Sequence, residues 1–180
     1  MVNTSVKIND QPSAFRYPRG NGIGVELPGI NEILEIGKGR VIKSGKKAAI
    51  LNFGARLEEC KKTSEILSKK GIDITIVDAR FAKPLDEKLI MEVATNHEVV
   101  VSVEEGSIGG FGSHVMQLLS DRGVFDKGLK FRSMILPDIF LDQNSPQKMY
   151  EIAGLDSQTI ANKIEDTLKS NIVLAKNKTL

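Results

Sequence analysis

The sequence predicts an α/β fold, a mostly parallel five-stranded sheet with helices on both faces. Three observations carry that expectation. Val99-Val100-Val101-Ser102-Val103 is a nearly continuous β-branched run, the pattern of a strand buried on both faces in a parallel sheet. Gly106, Gly109, Gly110 and Gly112 then break the strand, and Val115, Leu118 and Leu119 recur beyond them at helical spacing. From residue 40 onward, short apolar runs alternate with amphipathic stretches in the rhythm of βαβ units. The glycine turn is thereby assigned to the carboxyl edge of the sheet, where ligands of open α/β folds bind.

The elements follow in chain order. Val2 to Ile8 reads as the tail of a helix, and Asn9-Asp10-Gln11-Pro12 as a turn, because Pro12 pushes its neighbour out of the helical region. Ser13 to Tyr17 is expected as a brief strand stopped by Pro18, and the Pro/Gly-punctuated stretch to about Gly39 as an ordered linker. Arg40 to Lys43 is a short edge strand and Ala48 to Phe53 a buried one. Leu57 to Lys70 is an amphipathic helix with Leu57, Cys60, Ser64 and Leu67 inward, Glu58/Lys62 and Glu65/Lys69 as outer ion pairs, and Gly71 as its cap. Ile72 to Val77 is the next strand, and Asp86 caps a helix carrying Leu89, Ile90 and Val93. After the central strand, the glycine turn and a helix to about Arg122, the last strand runs from Phe131 to Leu136. Two helices close the chain, Gln147 to Ala153 and, capped by Asp156 or Ser157, Thr159 to Leu168, with a frayed tail after Asn171.

Composition narrows the function. Twenty-five basic and 23 acidic residues lie scattered along the 180-residue chain for a net charge of +2, which argues against a nucleic-acid or membrane-surface partner. No apolar run is long enough to span a bilayer, and the single cysteine, Cys60, fits a reducing compartment, the cytoplasm. One cysteine and two distant histidines make no thiolate or imidazole metal cluster. Without tryptophan and with few aromatic residues, a platform for stacking bases is not expected.

Several groups carry potential chemistry. The glycine turn sits where a phosphate cradle would sit, yet it is not a G-x-G-x-x-G fingerprint, and close strand–helix packing, for which glycine turns are common in this setting, is the favoured reading. Glu104 and Glu105 end the central strand, where a carboxylate serves as acid or base; more commonly one caps the next helix and the other meets solvent. His114 reads as a surface or partner contact and Cys60 as core. Arg80, at a strand's carboxyl end, either binds an anion or pairs with Asp78 or Glu104. Arg16 and Arg19 flank the stiff Tyr17-Pro18 pair; two guanidiniums there suit a phosphate, and a solvated linker is the alternative.

Taken together, five strings resemble one family. Phe15-Arg16-Tyr17-Pro18-Arg19-Gly20, Leu34-Glu35-Ile36-Gly37-Lys38-Gly39, Asp78-Ala79-Arg80-Phe81 with Lys83-Pro84-Leu85-Asp86, Glu104-Glu105 with Gly109-Gly110-Phe111-Gly112, and Leu136-Pro137-Asp138 stand in the order and spacing of 1-deoxy-D-xylulose-5-phosphate synthases. These are transketolase-like, thiamine-diphosphate-dependent transferases. The resemblance implies that residues 1–20 are the tail of a pyrimidine-binding domain, 21–45 a linker, 46–172 a transketolase C-terminal domain and 173–180 a frayed tail.

It also implies a function for the intact protein: condensation of pyruvate with glyceraldehyde 3-phosphate, with loss of CO2, at the head of the non-mevalonate isoprenoid route. The family uses thiamine diphosphate with Mg2+ and is dimeric, so the resemblance implies upstream domains as partners and a homo-oligomer. The family's Gly-Asp-Gly diphosphate motif, its ring-activating glutamate and its active-site histidines have no counterpart in this sequence. The chain alone is therefore expected to bind no cofactor and to be inactive, with no catalytic or metal residue of its own. Only Arg19, supported by Arg16, carries over, as a ligand of the aldehyde substrate's phosphate. Two other readings compete: a stand-alone anion-binding or regulatory α/β module, and the C-terminal domain of a 2-oxoacid dehydrogenase beta subunit, against which the Arg16 to Gly20 string argues.

Overall fold

Five strands form one sheet in the computed structural model, which describes residues 1–18, 20, 22–26, 29 and 32–170. In chain order the strands are β1 (Arg40–Lys43), β2 (Ala48–Phe53), β3 (Ile74–Asp78), β4 (Val99–Glu104) and β5 (Lys130–Met134), arranged β1-β3-β2-β4-β5. The β3/β2, β2/β4 and β4/β5 pairs are parallel, and only edge strand β1 runs antiparallel, to β3. The mostly parallel five-stranded sheet expected from the sequence is the one found.

The helices are α1 (Val2–Val6), α2 (Leu57–Ser68), α3 (Glu87–Asn96), α4 (Phe111–Asp121), α5 (Pro146–Ile152) and α6 (Ser157–Lys169). None among the described residues is long and apolar enough to cross a membrane. Strand alternation splits the core in two. Ile50, Val99, Val101 and Val103 face Cys60 and Leu67 of α2 and Ile160 and Ile164 of α6. Leu51, Val77 and Val100 face Ile90 and Val93 of α3 and Phe111, Val115 and Leu119 of α4. Both faces of β2 and β4 are covered, which is why those strands read as unbroken apolar runs.

Local chemistry sets the boundaries. At the end of α2 the Ile72 N–H donates to the Leu67 carbonyl at 3.0 Å around Gly71, whose φ of +73° suits glycine. Asp86 caps α3, accepting from the Leu89 N–H at 3.1 Å, and Asp156 caps α6 from the Gln158 and Thr159 N–H groups at 3.0 Å each. Burial raises the Asp156 carboxyl, but these bonds and that from the Thr159 hydroxyl outweigh it and hold the group below its ordinary value.

Two expectations fail here. Ser13 to Tyr17 joins no strand among the described residues; it lies exposed beside α1, with Ser13 bonded to Ser5. On α2 neither Glu58/Lys62 nor Glu65/Lys69 pairs. Lys61 bonds Glu58 and Lys62 bonds Glu59, each at 2.7 Å. The reason is Glu59, which is buried with its other oxygen on the Ser157 N–H at 3.0 Å, so its free oxygen meets Lys62 one turn on. Burial works against that charge, yet Lys62 and Ser157 keep the Glu59 carboxyl below its ordinary value.

Candidate functional site

A cavity of about 1580 Å³ opens at the carboxyl edge of the sheet. Its floor is the ends of β2, β3 and β4, at Phe53, Gly54, Asp78, Arg80 and Glu105; α1, the Arg16-Tyr17-Pro18 stretch and α5 wall it. The α1 wall is tied to the α1–β1 segment: the Thr4 hydroxyl of α1 accepts from the Leu34 N–H at 2.9 Å. A second hollow of about 550 Å³ lies away from this edge, between β1 and α2, and its Lys43 is held by Ser64 at 2.8 Å and Asp73 at 3.4 Å.

The floor at β3 is built by Arg80. The Phe81 N–H donates to the Ala79 carbonyl at 2.6 Å, closing a three-residue turn with Arg80 at its centre and φ at +59°. A side chain other than glycine in that conformation is held at a cost, a cost proteins concentrate at functional sites. Asp78 lies beside it. Its Oδ2 accepts from Arg40 Nε at 3.0 Å, while Arg80 Nε stands 3.7 Å from the same oxygen. Of the two partners that the sequence offered Arg80, Asp78 is the near one, and Glu104 is engaged elsewhere.

Across the floor, Glu105 is not turned to solvent as expected. Arg56 Nε donates to it at 3.0 Å, and the Arg56 guanidinium lies 3.7 Å above the Tyr150 ring. This cation–π stack ties the start of α2 to α5. Burial first, then the neighbouring Glu105 carboxylate, pushes the Tyr150 phenol above its ordinary value.

The glycine turn is closed from within. Glu104, 2% exposed, accepts from the Phe111 N–H at 3.0 Å and the Gly112 N–H at 2.7 Å, so the first free N–H groups of α4 already hold a carboxylate. Side chains are excluded here by contact. A Cβ on Gly110 would stand 2.5 Å from Glu104 Oε2, and one on Gly112 2.4 Å from Ser133 Oγ. Close packing is the meaning of these glycines.

The structure thus places Arg16 on the cavity wall with Arg80, while Arg19 lies outside the described residues. His114 is exposed on α4, and Cys60 is buried in the core, where desolvation pushes its thiol up to about 12. Sequence reasoning missed Arg40, Arg56 and Tyr150. Arg56 follows the carboxyl end of a predicted strand, which was a signal, whereas Arg40 opens one and reaches this edge only because β1 runs antiparallel to β3. For a diphosphate with Mg2+, the donors present do not fit. Among the described residues no three His, Cys, Asp or Glu converge, and floor carboxylates Asp78 and Glu105 each hold an arginine. Exposed Glu26 and Glu32, between α1 and β1, add no such cluster among the described residues.

Comparison with known proteins agrees with this architecture. The transketolase C-terminal domain family matches residues 37–160. A structure of a split gene transketolase, an inactive beta4 tetramer, is 28% identical with a TM-score of 0.70, over 80% of this chain and 46% of that one. Transketolase from Campylobacter jejuni subsp. jejuni NCTC 11168 shares the fold at 16% identity and a TM-score of 0.53, over 72% of this chain and 18% of its own. The chain therefore spans less than half the length of either solved structure. With its family model matching residues 37–160, well over half of the sequence, the chain belongs to the transketolase C-terminal domain family.

Proposed function

We propose that this chain is the C-terminal part of a thiamine-diphosphate-dependent synthase that joins pyruvate, with loss of CO2, to glyceraldehyde 3-phosphate, giving 1-deoxy-D-xylulose 5-phosphate. Its share of the work is to pack against the upstream domains and to hold the aldehyde's phosphate through Arg19 and Arg16, with Arg80 as a third ligand. The observation that carries the reading is the placing of Arg80: a strained turn aims a guanidinium at the cavity that Arg16 also lines. Guanidiniums suit a phosphate because each offers paired donors to its oxygens. Thiamine diphosphate, held by the upstream domains with Mg2+, would supply the electron sink for decarboxylation.

The similar split gene transketolase is an inactive tetramer in its solved form, which accords with a piece of such an enzyme doing no chemistry alone. Exposed Ile108, Ile139 and Phe140, on the loops flanking the cavity, give upstream domains or a second copy an apolar surface.

The test is reconstitution. Purified 1–180 should bind no thiamine diphosphate by calorimetry and form no product from pyruvate and glyceraldehyde 3-phosphate. Adding a polypeptide that carries the Gly-Asp-Gly diphosphate motif should produce activity. Saturable micromolar cofactor binding by the chain alone, or product without the companion, contradicts the proposal.

A further inference from the structure

We infer that Arg40 is a positioning residue for Arg80: by taking the carboxylate of Asp78, it leaves the Arg80 guanidinium free for a phosphate monoester in the carboxyl-edge cavity. The inference rests on the phosphate-binding role proposed above for Arg80.

Three observations carry it. Arg40 opens β1 directly opposite Asp78 in the antiparallel β1/β3 register, so backbone pairing sets their approach. Arg40 Nε reaches Asp78 Oδ2 at 3.0 Å, whereas Arg80 Nε stays 3.7 Å from that oxygen, beyond hydrogen-bonding reach. The Arg80 side chain donates no hydrogen bond to any described residue, and its backbone turn is fixed by the Phe81-to-Ala79 bond at 2.6 Å. Among the described residues Asp78 is the one carboxylate within ion-pair distance of its guanidinium, and the cavity that Arg80 lines is open to an entering anion. Asp78 is only 14% exposed, so removing Arg40 leaves a carboxylate short of solvent with Arg80 as its neighbouring cation. Arg80 then turns to Asp78 and away from the ligand.

Inorganic phosphate titrated into 1–180 reads this at the Nε–Hε resonance of Arg80, which moves to saturation in the parent chain. Arg40→Met weakens the apparent affinity about two- to fivefold, the worth of an exposed charge pair. Arg40→Lys, which keeps a cation beside Asp78, retains most of the affinity. Combining Arg40→Met with Asp78→Asn restores the parent value, because the amide no longer competes for Arg80. A purely structural Arg40 predicts the opposite, with the double variant both the least stable and the weakest binder. That result, or an Arg40→Met chain that binds as the parent does, overturns the role given to Arg40. Arg80→Met separates the two layers. Phosphate binding by calorimetry that is as tight in Arg80→Met as in the parent removes Arg80 as a ligand and this inference with it, and binding that also survives Arg19→Met and Arg16→Met removes the phosphate reading. Binding lost in Arg80→Met but unmoved by the Arg40 variants removes the inference alone.

Discussion

Two places at the carboxyl edge of this sheet look made for an anion, and they differ in where the balancing charge comes from. In the turn between β4 and α4, Glu104 of the chain itself accepts the Phe111 and Gly112 N–H groups, and the glycines around it leave no room for anything else. Beyond β3, Arg40 and Arg80 share a single oxygen of Asp78, and a guanidinium is left over beside an open cavity. The first place is occupied by the chain's own carboxylate; the second is where we propose that a phosphate binds. A glycine-rich turn at a helix start is therefore poor evidence of phosphate binding until the strand end beside it is known to lack a carboxylate.

The contrast breaks most visibly at Glu104. Glu104→Ala strands two buried N–H groups that each hold a charged acceptor, and should destabilise the chain by about 3–5 kcal/mol by urea unfolding. A loss under about 1 kcal/mol, the worth of one ordinary hydrogen bond, would mean that the turn does not depend on its internal carboxylate.

Arg19→Met tests the proposed phosphate site. In the reconstituted enzyme, losing a guanidinium bonded to phosphate costs roughly 1.5–3 kcal/mol, so apparent affinity for glyceraldehyde 3-phosphate should fall about 10- to 150-fold. Pyruvate decarboxylation, which involves no phosphate on the substrate, should change little. Steady-state kinetics with each substrate varied decides, and equal damage to both half-reactions marks Arg19 as structural.

Gly112→Ala sharpens the packing argument. Its Cβ would lie 2.4 Å from Ser133 Oγ and 2.5 Å from Ser102 Oγ, and overpacking of this kind costs about 1–3 kcal/mol. An unchanged thermal midpoint would show that the strand–helix contact has slack.

The smallest effect is in acid. Glu59, like Glu104, is a built-in carboxylate at a helix start, and its folded-state value lies below the ordinary 4.5. Its contribution is present above that pH and is lost as pH falls through the depressed value, because the unfolded chain takes up the proton first. Urea midpoints should fall on acidification below about pH 4.5, and Glu59→Gln should flatten part of that fall. A slope unaltered by Glu59→Gln would assign the acid sensitivity to other carboxylates, Asp156 among them.

The sheet was legible because Val99 to Val103 and Ala48 to Leu51 have no polar face to present, and the cap at Asp86 because its side chain bonds three residues along the chain. Contacts between distant segments were less legible. Glu59 bonds Ser157 across 98 positions, and no local spacing announces that it will draw Lys62 away from Glu58. The same holds for Arg56 meeting Glu105 and Tyr150, and for Arg40 meeting Asp78. Ser13 to Tyr17 has strand-like residues but finds no edge to pair with among the described strands. Arg80 was visible as an arginine at a strand end; its left-handed backbone was not, since nothing but the turn that Phe81 closes imposes it.

The difference between the two places is tested most directly by locating bound phosphate. Inorganic phosphate titrated into the isotopically labelled chain should shift the side-chain resonances of Arg80 and Arg16 and leave the backbone amides of Phe111 and Gly112 where they were. Phosphate that moves those two amides while the arginines stay still would contradict the account, placing the anion in the turn that Glu104 is held to fill.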